Sequence, residues 1–289
     1  MAEVAFSADL QERLSGLKAR LQRWSRGGRT DDSFLMQASA TLERLTALSE
    51  ERRGNCTLPK FLQLYTQAVL DITYFEENQL VDEEFPEESS LQKVEELINV
   101  LSEPEILVKA NSTSQEPLSV LGTELLECLY WRRGALLYMF CHTVKGRKEW
   151  LTEKTDLLKK FLSEGIHYLV TMLGFRCSDN ADEEVSFGDA DTARLIHEGI
   201  YSDTHLLAMM YCGEMCYWGL KYCGEGKDPV QSTDPRSSSR GPTTALDFRE
   251  TGAKMLQKYN TVCEGPLRLH DWDTKNAKRI LNYFQHLPA

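Results

Sequence analysis

Residues 203 to 223 read DTHLLAMMYCGEMCYWGLKYC and hold one histidine, three cysteines and three methionines. Thiolates and imidazoles that converge can bind a metal, and paired cysteines can carry redox chemistry. In a single helix, His205, Cys212, Cys216 and Cys223 fall within about 20° of a common line. Along the axis, however, His205 and Cys223 are roughly 27 Å apart, too far for one ion to reach both. Only Cys212 and Cys216, one turn apart, could chelate together, and two more ligands would have to come from elsewhere. Cys128 and Cys141 lie about 140° apart around their own helix and offer no matched pair. The chain contains neither C-x-x-C nor H-E-x-x-H. Ala208, Met209, Gly219 and Leu220 share the cysteine face, a set that lets a neighbouring helix approach closely. Buried packing is therefore the expectation for this stretch, with a cysteine-based metal or redox protein as its rival.

Other chemistry-bearing groups are sparse. Cys141 precedes His142 and His197 precedes Glu198, but adjacent residues on a helix point about 100° apart, poor geometry for a nucleophile and its base. There is no P-loop, no G-x-S-x-G elbow and no dinucleotide fingerprint; GEGKDP at 224 lacks the upstream glycine and the following Ser or Thr of a Walker motif. The chain is expected not to be an enzyme and to carry no cofactor. Arg132 and Arg133 interrupt an otherwise apolar helix, where a buried guanidinium needs carboxylate partners from neighbouring helices.

The segment EENQLVDEEFPEE, residues 76 to 88, has seven carboxylates and no basic residue. A calcium loop would need alternating acidic ligands about a central glycine, and Phe85 and Pro86 stand there instead. As a functional surface it suits a basic partner, with Phe85 as an apolar anchor. Glu83, Glu84, Phe85 and Glu87 are the candidate partner-binding residues. The alternative is a solvated acidic loop.

The elements that carry these groups are helical nearly throughout. Leu10, Leu14, Leu17, Leu21 and Trp24 recur at steps of three and four. A second helix follows, capped by Asp31 or Asp32 and closed by Gly54, and a third opens at Thr57 with Pro59 in its first turn. A short helix from Ser89 or Ser90 is expected to run through Leu101 until Pro104 breaks it, with a polar loop at 110 to 117. The spacing predicts further helices from Pro117 to about Val144, from Glu149 to Leu173, and over 189 to 200. The stretch 203 to 223 is expected to be capped by Ser202 or Asp203 and stopped by Gly224. Two last helices cover 246 to 262 and 273 to 287, the second capped by Asp273 or Thr274. No alternating run makes a convincing strand. The expected fold is all-α, a single irregular bundle of about nine helices spanning residues 1 to 289 as one domain. The Gly, Pro and Ser-rich segment 224 to 245 is expected to be a mobile loop inside it.

Composition narrows the function classes. A net charge of −11 and a pI near 5.2 argue against nucleic-acid binding, which needs clustered Lys and Arg. The longest uncharged runs, GALLYMFCHTV and GIHYLVTMLGF, fall well short of the ~20 residues of a membrane-spanning helix. The charged N-terminus is unlike a signal peptide. Eight cysteines then fit reduced thiols in the cytosol, and the sequons at Asn55 and Asn111 are expected to stay unmodified.

At LYTQAVLDITYFEENQLVDEEFPE, LLECLYWRRGALLYM, HLLAMMYCGEMCYWG and WDTKNAKRILNYF the sequence resembles the vertebrate family of Rab-interacting subunits of the Mon-Ccz complex. The resemblance runs from about residue 30 onward and is weakest in the first 30 residues and at 224 to 245. It implies a cytosolic helper in mitophagy. Such proteins associate with the Mon-Ccz guanine-nucleotide exchange complex and with the late-endosomal Rab GTPase in its GDP form. They help that GTPase to persist and to reach damaged mitochondria. A structural scaffold subunit that does not touch the Rab itself is the alternative within the same complex.

Overall fold

The computed structural model describes residues 8–25, 32–50, 57–111, 116–176, 190–224 and 246–287. These residues form twelve α-helices, and among them there is no strand. The four longest are α3 (Leu58–Asp82), α4 (Ser90–Asn111), α6 (Thr123–Val144) and α10 (Asp203–Cys223). The others are α1 (Ala8–Ser25), α2 (Ser33–Glu50), α5 (Pro117–Leu121), α7 (Lys148–Thr152), α8 (Thr155–Gly174), α9 (Ala190–His197), α11 (Phe248–Glu264) and α12 (Lys275–His286).

The all-α expectation holds, with twelve described helices against about nine expected; two of the additional ones arise because two expected helices are each cut in two. Gly122, with φ +81°, separates α5 from α6 and leaves Leu118 exposed. The turn at Glu153 and Lys154 likewise separates α7 from α8. Pro104 acts the other way. It lies inside α4 rather than ending it. The helix continues because Leu107 and Val108 beyond the proline are fully buried, and because Glu103 and Glu105 are tied to neighbouring helices; that packing outweighs the lost backbone hydrogen bond. The caps follow the expected chemistry in part. Asp32 Oδ1 accepts from the backbone N–H groups of Phe34 and Leu35, and Asp273 Oδ1 from that of Lys275. Gly54, most of the segment 224 to 245 and Asn55 lie outside the described residues.

The helices cluster as two compact units, Met1–Arg133 and Gly134–Ala289. In the first, α3 is the central helix. It packs on α1, α2, α4 and α5, and buries Tyr65, Ala68, Val69, Ile72 and Phe75 on several sides. In the second, α10 is central, packed on α8, α11 and α12. Close approach here depends on glycine. A Cβ on Gly213 would strike the Leu256 side chain, one on Gly219 would meet Phe248 at 2.9 Å, and one on Gly252 of α11 would meet Cys216 at 2.7 Å. No helix among the described residues is long and apolar enough to cross a membrane.

Candidate functional site

The acidic segment forms the corner between α3 and α4. Glu84 N–H donates to Val81 O at 2.9 Å and Phe85 N–H to Leu80 O at 2.9 Å. That pair of bonds is the Schellman closure of a helix, which places the residue after the C-cap in the left-handed region and turns the next side chain back onto the helix. Glu84 and Phe85 both have φ +51°. At the end of α9 the same two bonds form with glycine in the left-handed position, from Gly199 to Ile196 and from Ile200 to Leu195. The acidic corner adopts the turn with a glutamate there, a conformation that costs about 1 kcal/mol or more for a residue with a Cβ.

The turn decides which way its side chains face. Phe85 is 2% exposed, while Glu83, Glu84 and Glu87 are exposed. Phe85 is thus a core residue that fixes the corner and not an apolar anchor offered to a partner, a correction to the expectation from sequence. The signal was present in the order of residues: an apolar side chain two positions past the helix end, followed by proline, is the pattern of a Schellman turn. The three glutamates all face solvent at this corner.

Residues 57 to 111 contain twelve carboxylates and three lysines, a net charge of −9. Five of the twelve are buried or half-buried and bonded within this unit. Arg20 of α1 chelates Glu76, with Nε 2.6 Å from Oε1, and Trp24 Nε1–H donates to the same oxygen at 2.8 Å. Arg132 of α6 faces Glu77 through Nε at 2.9 Å and Nη2 at 2.8 Å, reaches Leu70 O at 3.2 Å, and covers the Tyr74 ring. Tyr65 O–H donates to Glu103 at 2.6 Å and Arg13 pairs with it at 3.1 Å. Glu105 takes Arg133 and, at 2.9 Å, the Tyr130 hydroxyl. Asp71 accepts from Gln67 at 2.9 Å. The remaining seven, Asp82, Glu83, Glu84, Glu87, Glu88, Glu95 and Glu96, are all exposed. Lys93 reaches one of them, Glu83, at 3.9 Å. Arg132 and Arg133 therefore have the carboxylate partners that their setting demanded. Burial raises the pKa of Asp71 and of Glu77, against the opposing pull of Arg132.

The histidine and cysteine face of α10 has a different character. His205, Cys212 and Cys216 are buried and Cys223 half-buried. Burial pushes the Cys216 thiol up, and raises Cys223 and Cys263 to about 11, so these groups stay protonated at neutral pH. Among the described residues no three His, Cys, Asp or Glu side chains are placed to hold a metal ion. Cys141 is buried beside an exposed His142, and its thiol too is pushed up by burial. On the opposite side of α10, Glu214 accepts from the Tyr138 hydroxyl and from Asn276, and Tyr138 stacks on Tyr211 with ring centroids 3.7 Å apart. The burial and the proximity of Glu214 raise the pKa of Tyr138 and Tyr211.

Comparison with known proteins gives a consistent result. A family described as RAB7A-interacting MON1-CCZ1 complex subunit 1 matches residues 34–285. A Homo sapiens protein of that description is 56% identical over 272 residues, covering 93% of this chain and 92% of its own length. The Mus musculus counterpart is 53% identical over 271 residues, with 93% and 92% covered. That of Danio rerio is 49% identical over 255 residues, with 88% and 89% covered. No solved structure matches the chain.

Proposed function

This chain belongs to the RAB7A-interacting MON1-CCZ1 complex subunit 1 family, and from that premise we propose that it is a non-enzymatic adaptor. It binds the late-endosomal Rab, in the GDP form by preference, together with the Mon-Ccz exchange complex. It keeps that GTPase available in the cytosol and directs it to damaged mitochondria in mitophagy. The observation that carries the reading is the family match over residues 34–285. The exposed carboxylates at the α3–α4 corner support it, because a dense acidic edge steers a basic partner and sets its orientation. Glu83, Glu84 and Glu87 form the proposed contact edge, and Phe85 holds them in place from inside. Buried, protonated cysteines are consistent with an adaptor whose work is done by surfaces.

Capture of purified protein on RAB7A, loaded with GDP or with a non-hydrolysable GTP analogue, with and without MON1-CCZ1, tests the proposal. Retention on the GDP form supports an escort that presents the inactive GTPase to its exchange factor. Preference for the GTP form would recast the chain as an effector. Retention on MON1-CCZ1 but on neither nucleotide form would leave a scaffold subunit. The triple reversal Glu83→Lys, Glu84→Lys, Glu87→Lys should reduce capture by about tenfold at low salt and less at high salt, with the helical circular dichroism unchanged.

A further inference from the structure

A cavity of about 280 Å³ opens between α1, α3 and α4, beside the acidic corner. Its apolar lining comes from the Trp24 indole and from Leu80 and Leu97. Trp24 is held in position twice. Its N–H donates to Glu76 at 2.8 Å, and its ring meets Phe75 edge-on with centroids 5.1 Å apart. The wall is therefore set before any partner arrives, as in the pockets that receive anchor side chains at interfaces. Glu76, deeper in the same cavity, is already chelated by Arg20. A charged group entering there would find its counter-ion taken, so the interior suits a neutral side chain.

The opening has the opposite requirement. Glu83 and Glu96 line it together with Arg23 and Lys93, and Glu84, Glu87, Glu88 and Glu95 are exposed on the same corner and the start of α4, so that exposed carboxylates outnumber these two cations. Lys93 reaches Glu83 across solvent at 3.9 Å with both side chains about half exposed, a contact of little worth that an incoming cation can replace. A volume at or below the lower end of small-molecule sites, about 300 to 1,000 Å³, matches one side chain better than a nucleotide or cofactor.

We infer that this cavity receives a single aromatic or leucine anchor from a partner segment whose flanking residues are lysine or arginine. The inference rests on the adaptor reading above for the partner's role, and adds the chemistry of the contact. It also inverts the expectation from sequence: the acidic corner supplies the pocket, and the anchor belongs to the partner.

The test pans a phage-displayed random 16-residue peptide library on the immobilised full chain, with Gln79→Trp as the comparison. Gln79 lines the cavity and is half-buried, so tryptophan there fills the space without altering a charge. The expected result is a set of peptides sharing one Phe, Trp or Leu among Lys and Arg, bound at least about tenfold more weakly by Gln79→Trp. The double reversal Glu83→Lys, Glu96→Lys should lose the same peptides, whereas Glu153→Lys, exposed in the turn after α7, should keep them. Circular dichroism checks each variant; if Gln79→Trp loses helix, the double reversal decides. Peptides that lack the anchor or the basic flanks, or that bind all variants alike, overturn the inference, as does a selection that yields none. The same variants are then assayed on RAB7A and MON1-CCZ1. Peptide binding without capture of either protein removes the adaptor reading and leaves the pocket. Capture that is indifferent to Gln79→Trp, with no discriminating peptide, removes the pocket and leaves the adaptor.

Discussion

The central helices of the two units, α3 and α10, are both packed by neighbours and solve that problem by different physics. Helix α3 presents Glu76 and Glu77 to its neighbours, and arginines from α1 and α6 neutralise them at hydrogen-bonding distance. Helix α10 presents Cys212, Gly213, Cys216 and Gly219, groups that carry no charge and take little room. The first seam is held by matched charges and tolerates no unmatched one. The second is held by shape and tolerates no added volume. The difference also bears on function. A helix that already mixes inward-paired and outward-exposed carboxylates can extend a charged surface at little structural cost, while Cys212 and Cys216 of α10 are enclosed and burial pushes the Cys216 thiol up.

The largest break in the comparison should come from Arg132→Met. It leaves Glu77 buried without its cation and should destabilise the protein by about 3–5 kcal/mol in urea unfolding, whereas Arg132→Met combined with Glu77→Met should recover most of that loss. Hydrogen exchange should place the lost protection in α3 and the adjoining part of α6. A double variant as unstable as the single one would contradict charge pairing as the source. Next in size is Gly213→Val on α10, whose side chain would overlap Leu256; about 1–3 kcal/mol of destabilisation is expected, with lost protection in α10 and α11. The same substitution paired with Leu256→Ala should be less harmful than the sum of the two, because the new methyls enter the space vacated.

The smallest effect sharpens the charge side of the comparison. Burial raises the folded-state pKa of Asp71, so its contribution to stability is fully present below the unfolded value, near 3.9, and is lost as pH rises through the folded value. Asp71→Asn keeps an oxygen that can accept from Gln67 and removes the buried charge. Its stability should gain on that of the parent as pH rises from about 4 toward neutrality. Equal pH profiles for the two proteins would show that Asp71 does not titrate in this range.

Most helix positions, the glycine stop at Gly224 and the acidic surplus of residues 57 to 111 follow from local spacing and composition, which a sequence displays directly. So does the exclusion of a single-ion site on α10, because helical rise alone separates His205 from Cys223. What local pattern did not determine was the fate of side chains whose environment depends on distant residues. Pro104 reads as a helix breaker, yet α4 runs through it, since Leu107 and Val108 beyond it are fully buried. Phe85 reads as an exposed anchor among glutamates, yet the left-handed turn at Glu84 and Phe85 folds it inward. Glu76 and Trp24 lie 52 residues apart and become wall and support of one cavity only when α1 packs on α3. The sequence determined that the chain is helical, that its second quarter is acidic and which family it resembles, because these depend on periodicity, charge and residue order. Tertiary structure alone decided which carboxylates are spent on arginines and which stay exposed, because that choice is made by burial.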